Sequence, residues 1–124
     1  GNIWIYAVKD NSEMTAYAIF LREDNPKYNL KRYMLVDMQT TKDTECLMDL
    51  ISVAINRCKE EGIHMLEVFG FNNQKRSIME RCYPYMRSFP YYPFYYKTKN
   101  RSLLNILENP QRWDPCLFDG DSSL

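Results

Sequence analysis

The spacing of apolar residues changes period along this chain, and each change marks an element. Residues 3–8 and 14–21 are apolar and aromatic runs separated by Lys9-Asp10-Asn11-Ser12-Glu13, a stretch of turn-forming composition. They predict an antiparallel hairpin. Residues 22–31 are polar, contain Asp24-Asn25-Pro26 and predict a loop, after which 32–38 predict a third strand. From Leu47 the apolar positions fall at Leu47, Leu50, Ile51, Ala54, Ile55 and Cys58, the spacing of one helical face. That helix is expected over 43–61, with Thr40 or Thr41 as its cap, Asp43 and Glu45 at its positive end, Lys59 near its last turn and Gly62 as its stop. Residues 63–71 predict a strand parallel to the one before the helix, because a helix-length crossover joins the two.

Asn72 then caps a shorter helix whose Ile78, Met79 and Cys82 face inward. Pro84, Pro90 and Pro93 exclude a long helix beyond it. Residues 94–97 predict a further strand, and Ser102 opens a short helix ended by Asn109-Pro110. The fold class expected is α/β: a mixed sheet in which an antiparallel meander is followed by a parallel β-α-β unit and a second helix. A length of 124 residues suits one domain with one core.

Charge and cysteine usage narrow the function. Sixteen basic residues balance sixteen acidic ones, and no five like charges run together, so no field draws in nucleic acid or an anionic membrane. No apolar run approaches the roughly 18 residues of a spanning helix. The reading is a soluble cytoplasmic protein. The four cysteines, Cys46, Cys58, Cys82 and Cys116, are scattered without a C-x-x-C, and a single His gives no zinc-like spacing, so no metal is expected. Asp119-Gly120-Asp121 lacks the further ligands of a calcium loop and reads as a terminal turn. His64 reads as a structural histidine. Eight aromatics lie between Tyr83 and Tyr96, where they suit either a lid over the core or a carbohydrate-binding surface. Because the first residue is Gly1 and a strand begins almost at once, the chain is expected to be part of a longer polypeptide.

The candidate site is the loop Gln39-Thr40-Thr41-Lys42-Asp43-Thr44, placed where a β-α-β unit offers helix-start amides to an anion. It contains no glycine. Glu67 lies mid-strand beside it and is a candidate general base. This order of elements resembles the GCN5-related N-acetyltransferase (GNAT) fold from its second strand onward, over nearly the whole chain. The tail, Trp113 followed by Asp119-Gly120-Asp121-Ser122, resembles the close of GNAT-like domains in bacterial proteins related to FemAB-type transferases. The resemblance implies that the family's first strand and first two helices lie upstream, in a domain that partners this one and helps to hold an amine acceptor. It also implies acyl-CoA or acetyl-CoA in the cleft between the parallel strands, with its pyrophosphate on a loop of the form Q/R-x-x-G-x-G/A.

Gln39 matches the first position of that loop, while Lys42 and Thr44 stand where its small residues belong. Glycine reaches φ > 0 and admits phosphate close to the backbone, so acyl-CoA binding is expected to be weakened or lost. By the same resemblance Asn72 or Asn73 opens the helix beside the cofactor, and Tyr83 is the counterpart of the phenol that protonates the departing thiolate. Two functions stay open: an N-acyltransferase, or a non-catalytic packing or recognition domain that keeps the fold. Free amides over 40–44 favour the first, and a loop closed by its own side chains favours the second. Four free thiols are expected in either case, and a thiol count under denaturing, non-reducing conditions checks this; a count of zero would reverse the compartment assignment.

Overall fold

The computed structural model describes residues 2–82, 87 and 95–119. β1 (Ile3–Asp10) and β2 (Glu13–Arg22) form the hairpin, turning through Asn11 and Ser12, both at positive φ (48° and 72°). This is the twist that two-residue hairpin turns require. β3 (Arg32–Thr40) pairs antiparallel with β2, and β4 (Met65–Val68) pairs parallel with β3, giving the order β1-β2-β3-β4. All three meander strands extend a residue or two beyond the apolar runs, because backbone pairing continues into the flanking polar residues.

A bulge in β3 decides which side chains reach the core. Phe20 pairs with Leu35 and Ile19 with Asp37, so Val36 is the extra residue. Tyr33 and Leu35 face inward, and after the bulge the inward position passes to Met38. Asp37 is thereby turned to the other face, where the Tyr17 hydroxyl donates to it at 2.7 Å. That hydrogen bond pushes the Tyr17 phenol up to about 12. On the inner face Phe20 stacks on Tyr33 at 4.9 Å between ring centroids, and the edge of Trp4 meets Tyr33 at 4.1 Å.

α1 (Leu47–Glu60) lies on this face through Leu47, Leu50, Ile51, Ala54 and Cys58. The predicted helical stripe is the observed one, except that Ile55 is only half-buried at its margin. Burial also pushes the Cys58 thiol up to about 11. The start differs from expectation: Thr44–Cys46 form a 3-10 turn, and the cap is Asp43, whose carboxylate accepts the Glu45 N–H at 3.1 Å. Thr40 and Thr41 do not cap, because their hydroxyls donate instead to the Thr15 carbonyl at the end of the neighbouring strand. At the far end Gly62 (φ +63°) closes the helix, with its N–H on the Lys59 carbonyl and the Ile63 N–H on the Cys58 carbonyl.

β4 is shorter than the predicted 63–71. Gly70 (φ +83°) and Phe71 (φ +67°) are both left-handed, and such a pair cannot continue a strand. α2 (Asn73–Cys82) follows, capped as predicted by Asn72, whose side chain accepts the Lys75 N–H at 3.0 Å. α3 (Arg101–Leu107) is capped by Asn100 rather than opened at Ser102, since the Asn100 side chain reaches the Leu103 N–H. The strand expected at 94–97 does not form over 95–97: Tyr95 is exposed and Tyr96 meets Trp113 instead of a sheet edge. Phe94 lies outside the described residues.

Truncating the centre of the α1 stripe leaves a cavity. Leu50→Ala and Ile51→Ala are each expected to cost roughly 2–5 kcal/mol by chemical denaturation, and Ile55→Ala distinctly less. Equal losses at Ile51 and Ile55 would mean that the helix is rotated from the face described.

Candidate functional site

β3 and β4 pair only from Arg32–Met65 to Leu35–Val68; beyond that β3 runs on to Thr40 while the chain after β4 turns away into α2. The gap lies at the carboxyl ends of two parallel strands, where open α/β sheets form their ligand crevices. Its lips are residues 38–40 on one side and 70–72 on the other. The start of α1 lies beside the first lip and the start of α2 beside the second.

The gap is crossed by the chain itself. Lys75, in the first turn of α2, is 3% exposed; its ammonium donates to the Met38 carbonyl at 2.7 Å and makes an ion pair with Asp114. It also lies 5.6 Å from the centre of the Phe71 ring. Asp114 gathers the other donors: its carboxylate accepts the Asn72 N–H at 2.9 Å and the Gln39 side-chain amide at 3.4 Å. The adjoining Pro115 carbonyl accepts the Phe71 N–H at 2.5 Å. Phe71 is a bulky residue in the left-handed region, a conformation costing on the order of 1–3 kcal/mol, and this bond holds it there.

Residues 113–116 are themselves fastened at both ends. The Trp113 indole N–H donates to the Leu107 carbonyl at 2.8 Å, and the Asp119 carboxylate accepts the Cys116 N–H at 2.7 Å. The 3-10 turn Leu117–Asp119 then lies against β3. Asp119 is the last residue of this turn; Gly120 and Asp121, the rest of the terminal turn expected from sequence, lie outside the described residues.

The loop 39–44 is closed in the same manner. The Thr41 N–H donates to the Thr15 carbonyl (2.9 Å), and the Lys42 N–H to the Thr40 hydroxyl (3.0 Å). The Glu45 and Cys46 N–H groups go to the side chain and the carbonyl of Asp43. The Lys42 ammonium sits on Asp10 at 2.6 Å, which holds the Asp10 carboxyl below its usual range. Of the amides from Thr41 to Cys46, those of Asp43 and Thr44 remain for another acceptor.

Of the predicted site residues, the fold brings Gln39 and Asn72 to one carboxylate, Asp114. Glu67 is in β4, but its carboxylate is 11% exposed and engaged by Arg32 at 3.3 Å. Tyr83 lies outside the described residues. His64 accepts the Lys31 N–H on Nδ1 at 3.0 Å, a structural bond. Sequence reasoning missed Lys75 and Asp114. A signal existed for the first: Lys75 falls on the apolar stripe of Ile78, Met79 and Cys82, so it had to point into the protein. Asp114 is 39 positions away in sequence and carried no such pattern.

Among the described residues no helix is long and apolar enough to cross a membrane, and no group of three or more His, Cys, Asp or Glu side chains is placed to hold a metal ion. No protein-family model and no curated protein matches the chain by sequence. Solved structures do match its fold. A ribosomal-protein-alanine N-acetyltransferase from Brucella melitensis biovar Abortus 2308 superposes with a TM-score of 0.62 at 12% identity, over 76% of this chain and 72% of that one. Glucosamine-6-phosphate N-acetyltransferase from Arabidopsis thaliana gives 0.63 at 11% identity, over 76% and 67%. A predicted acetyltransferase from Clostridium acetobutylicum, solved with acetyl-CoA, gives 0.61 at 14% identity, over 76% and 64%. At these identities the likeness is one of fold: the chain has the α/β architecture of the GNAT acetyltransferases.

Two left-handed glycines among the described residues distinguish the gap from the rest of the fold. A Cβ on Gly62 meets nothing within 4 Å, whereas one on Gly70 would overlap the Pro115 carbonyl oxygen. Gly62→Ala is expected to cost roughly 1–2 kcal/mol from backbone conformation alone. Gly70→Ala should cost more, because residues 113–116 must also move. Equal thermal or denaturant shifts for the two variants would contradict this packing.

Proposed function

We propose that the chain is a GNAT-fold domain related to N-acyltransferases, including the FemAB type, whose acyl-CoA binding is weakened or lost. It serves as a packing or recognition domain within a larger protein. One observation carries this reading: most of the groups that would face a cofactor at the gap and its loop are already bonded within the chain, the Asp43 and Thr44 amides excepted. A diphosphate at the start of α1 would find the Thr41, Lys42, Glu45 and Cys46 amides engaged and the Asp43 carboxylate among them. A pantetheine-like chain entering the gap would meet Lys75 and Asp114. The residues present in this conformation therefore do not fit acyl-CoA, and Glu67 is held by Arg32 rather than free to act as a base.

The outer face of the hairpin supports a role beside upstream elements of the same polypeptide. Ile3 and Ile5 are 60% and 64% exposed on the face opposite the core, where they offer apolar surface for such elements to pack against. The rival reading, an active transferase, is favoured by the acetyl-CoA complex of the Clostridium acetobutylicum neighbour. Calorimetric titration of coenzyme A and acetyl-CoA decides between them. The expected dissociation constant is on the order of a millimolar or weaker. Micromolar binding by the unaltered chain would overturn the proposal and restore the transferase.

A further inference from the structure

We propose that residues 113–116 are a cis-acting strap, latched across the gap by the Lys75–Asp114 pair, and that any ligand of this cleft must displace them. The strap depends on the function proposed above only for the identity of the excluded ligand; its own basis is the bonding of its residues.

Four donors converge on three acceptor atoms of the strap. The Asn72 N–H goes to one carboxylate oxygen of Asp114, and the Gln39 amide and Lys75 ammonium to the other. The Phe71 N–H goes to the Pro115 carbonyl. These donors belong to both lips of the gap, whereas all the acceptors belong to a segment that is distant in sequence. A segment with a carboxylate followed by a carbonyl is thus seated as a ligand would be, and in this protein it is covalently part of the molecule. Lys75 makes the arrangement a latch rather than a chance contact. Its ammonium is buried, and a buried ammonium requires compensation; without Asp114 only the Met38 carbonyl and the Phe71 ring remain to it. The Gly70-Phe71 corner supports the same conclusion, since a left-handed Phe has its N–H turned onto the strap and the missing Gly70 side chain leaves room for Pro115.

The strap therefore defines what can replace it. A competitor must bring at least two acceptor oxygens, one of them anionic, to answer the Lys75 ammonium and the Asn72 and Phe71 N–H groups. A purely apolar ligand would leave those donors unpaired and is excluded.

Amide hydrogen exchange on the full chain tests the latch. In Asp114→Ala and, separately, Lys75→Met, exchange over 69–73 is expected to rise at least tenfold, while the centre of α1 exchanges as in the parent. Alkylation of Cys116 should accelerate with it, since its N–H is held within the same segment. Asp114→Asn keeps the shape without the charge and should give an intermediate rate. Parent-like exchange over 69–73 in both Asp114→Ala and Lys75→Met would overturn the proposal. So would an equal rise in α1, which would make the pair a support of the whole fold. Coenzyme A is absent from this experiment, so its binding or failure to bind bears on the function proposed above and leaves the strap standing or falling on exchange alone.

Discussion

The carbonyl of Met38, past the last β3–β4 pair, takes its hydrogen bond from the buried Lys75 ammonium, and the arrangement of the whole cleft follows from that bond. Parallel strands that part leave backbone groups that must find partners. A cationic side chain from the first turn of α2 answers this need, but it brings a charge into a nearly dry position. That charge calls for an anion, and Asp114 supplies it from the far end of the chain. Once Asp114 is in place, its remaining acceptor capacity is taken up by Asn72 and Gln39, and Pro115 is delivered to Phe71. Closure of the cleft thus follows from satisfying one backbone acceptor.

The parts of the fold that were legible in sequence are those governed by local period and local turn chemistry. Leu47, Leu50, Ile51, Ala54 and Cys58 mark a helical face because neighbouring turns share one environment, and Gly62 ends it because few other residues adopt its backbone angles. The β-α-β unit, with its parallel strand, followed from crossover length. What was not legible depends on bonds between distant segments. Thr41 looked like a helix cap until Thr15 of the adjacent strand claimed its hydroxyl. The loop after Gln39 follows a β-strand and precedes a helix, but its Thr41, Lys42 and Glu45 amides go to the Thr15 carbonyl, the Thr40 hydroxyl and the Asp43 carboxylate, partners that no local sequence pattern encodes.

The solved structures sharpen the contrast between fold and site. At 11–14% identity the chain still superposes on N-acetyltransferases over about three-quarters of its length, so the apolar pattern sufficient for the architecture has been kept while most residues differ. Loop composition is not bound by that pattern. Lys42 and Thr44 are exposed or half-exposed and leave the core undisturbed, and the helix start they adjoin tolerates them once Asp43 caps it. A fold of this kind therefore accommodates a loop without glycine at this position, and function has to be argued from the cleft itself.

The most direct test of the closed cleft is the reactivity of the Lys75 amine in the native protein. Trace labelling with an amine-reactive reagent, read residue by residue by mass spectrometry, compares it with the exposed Lys27 and Lys59 on the same molecule. If Lys75 is held between Met38 and Asp114, it should label far more slowly than either of them. Labelling of Lys75 at the rate of Lys59 would mean that the ammonium is in water, that the cleft is open, and that no bond to Met38 organises it.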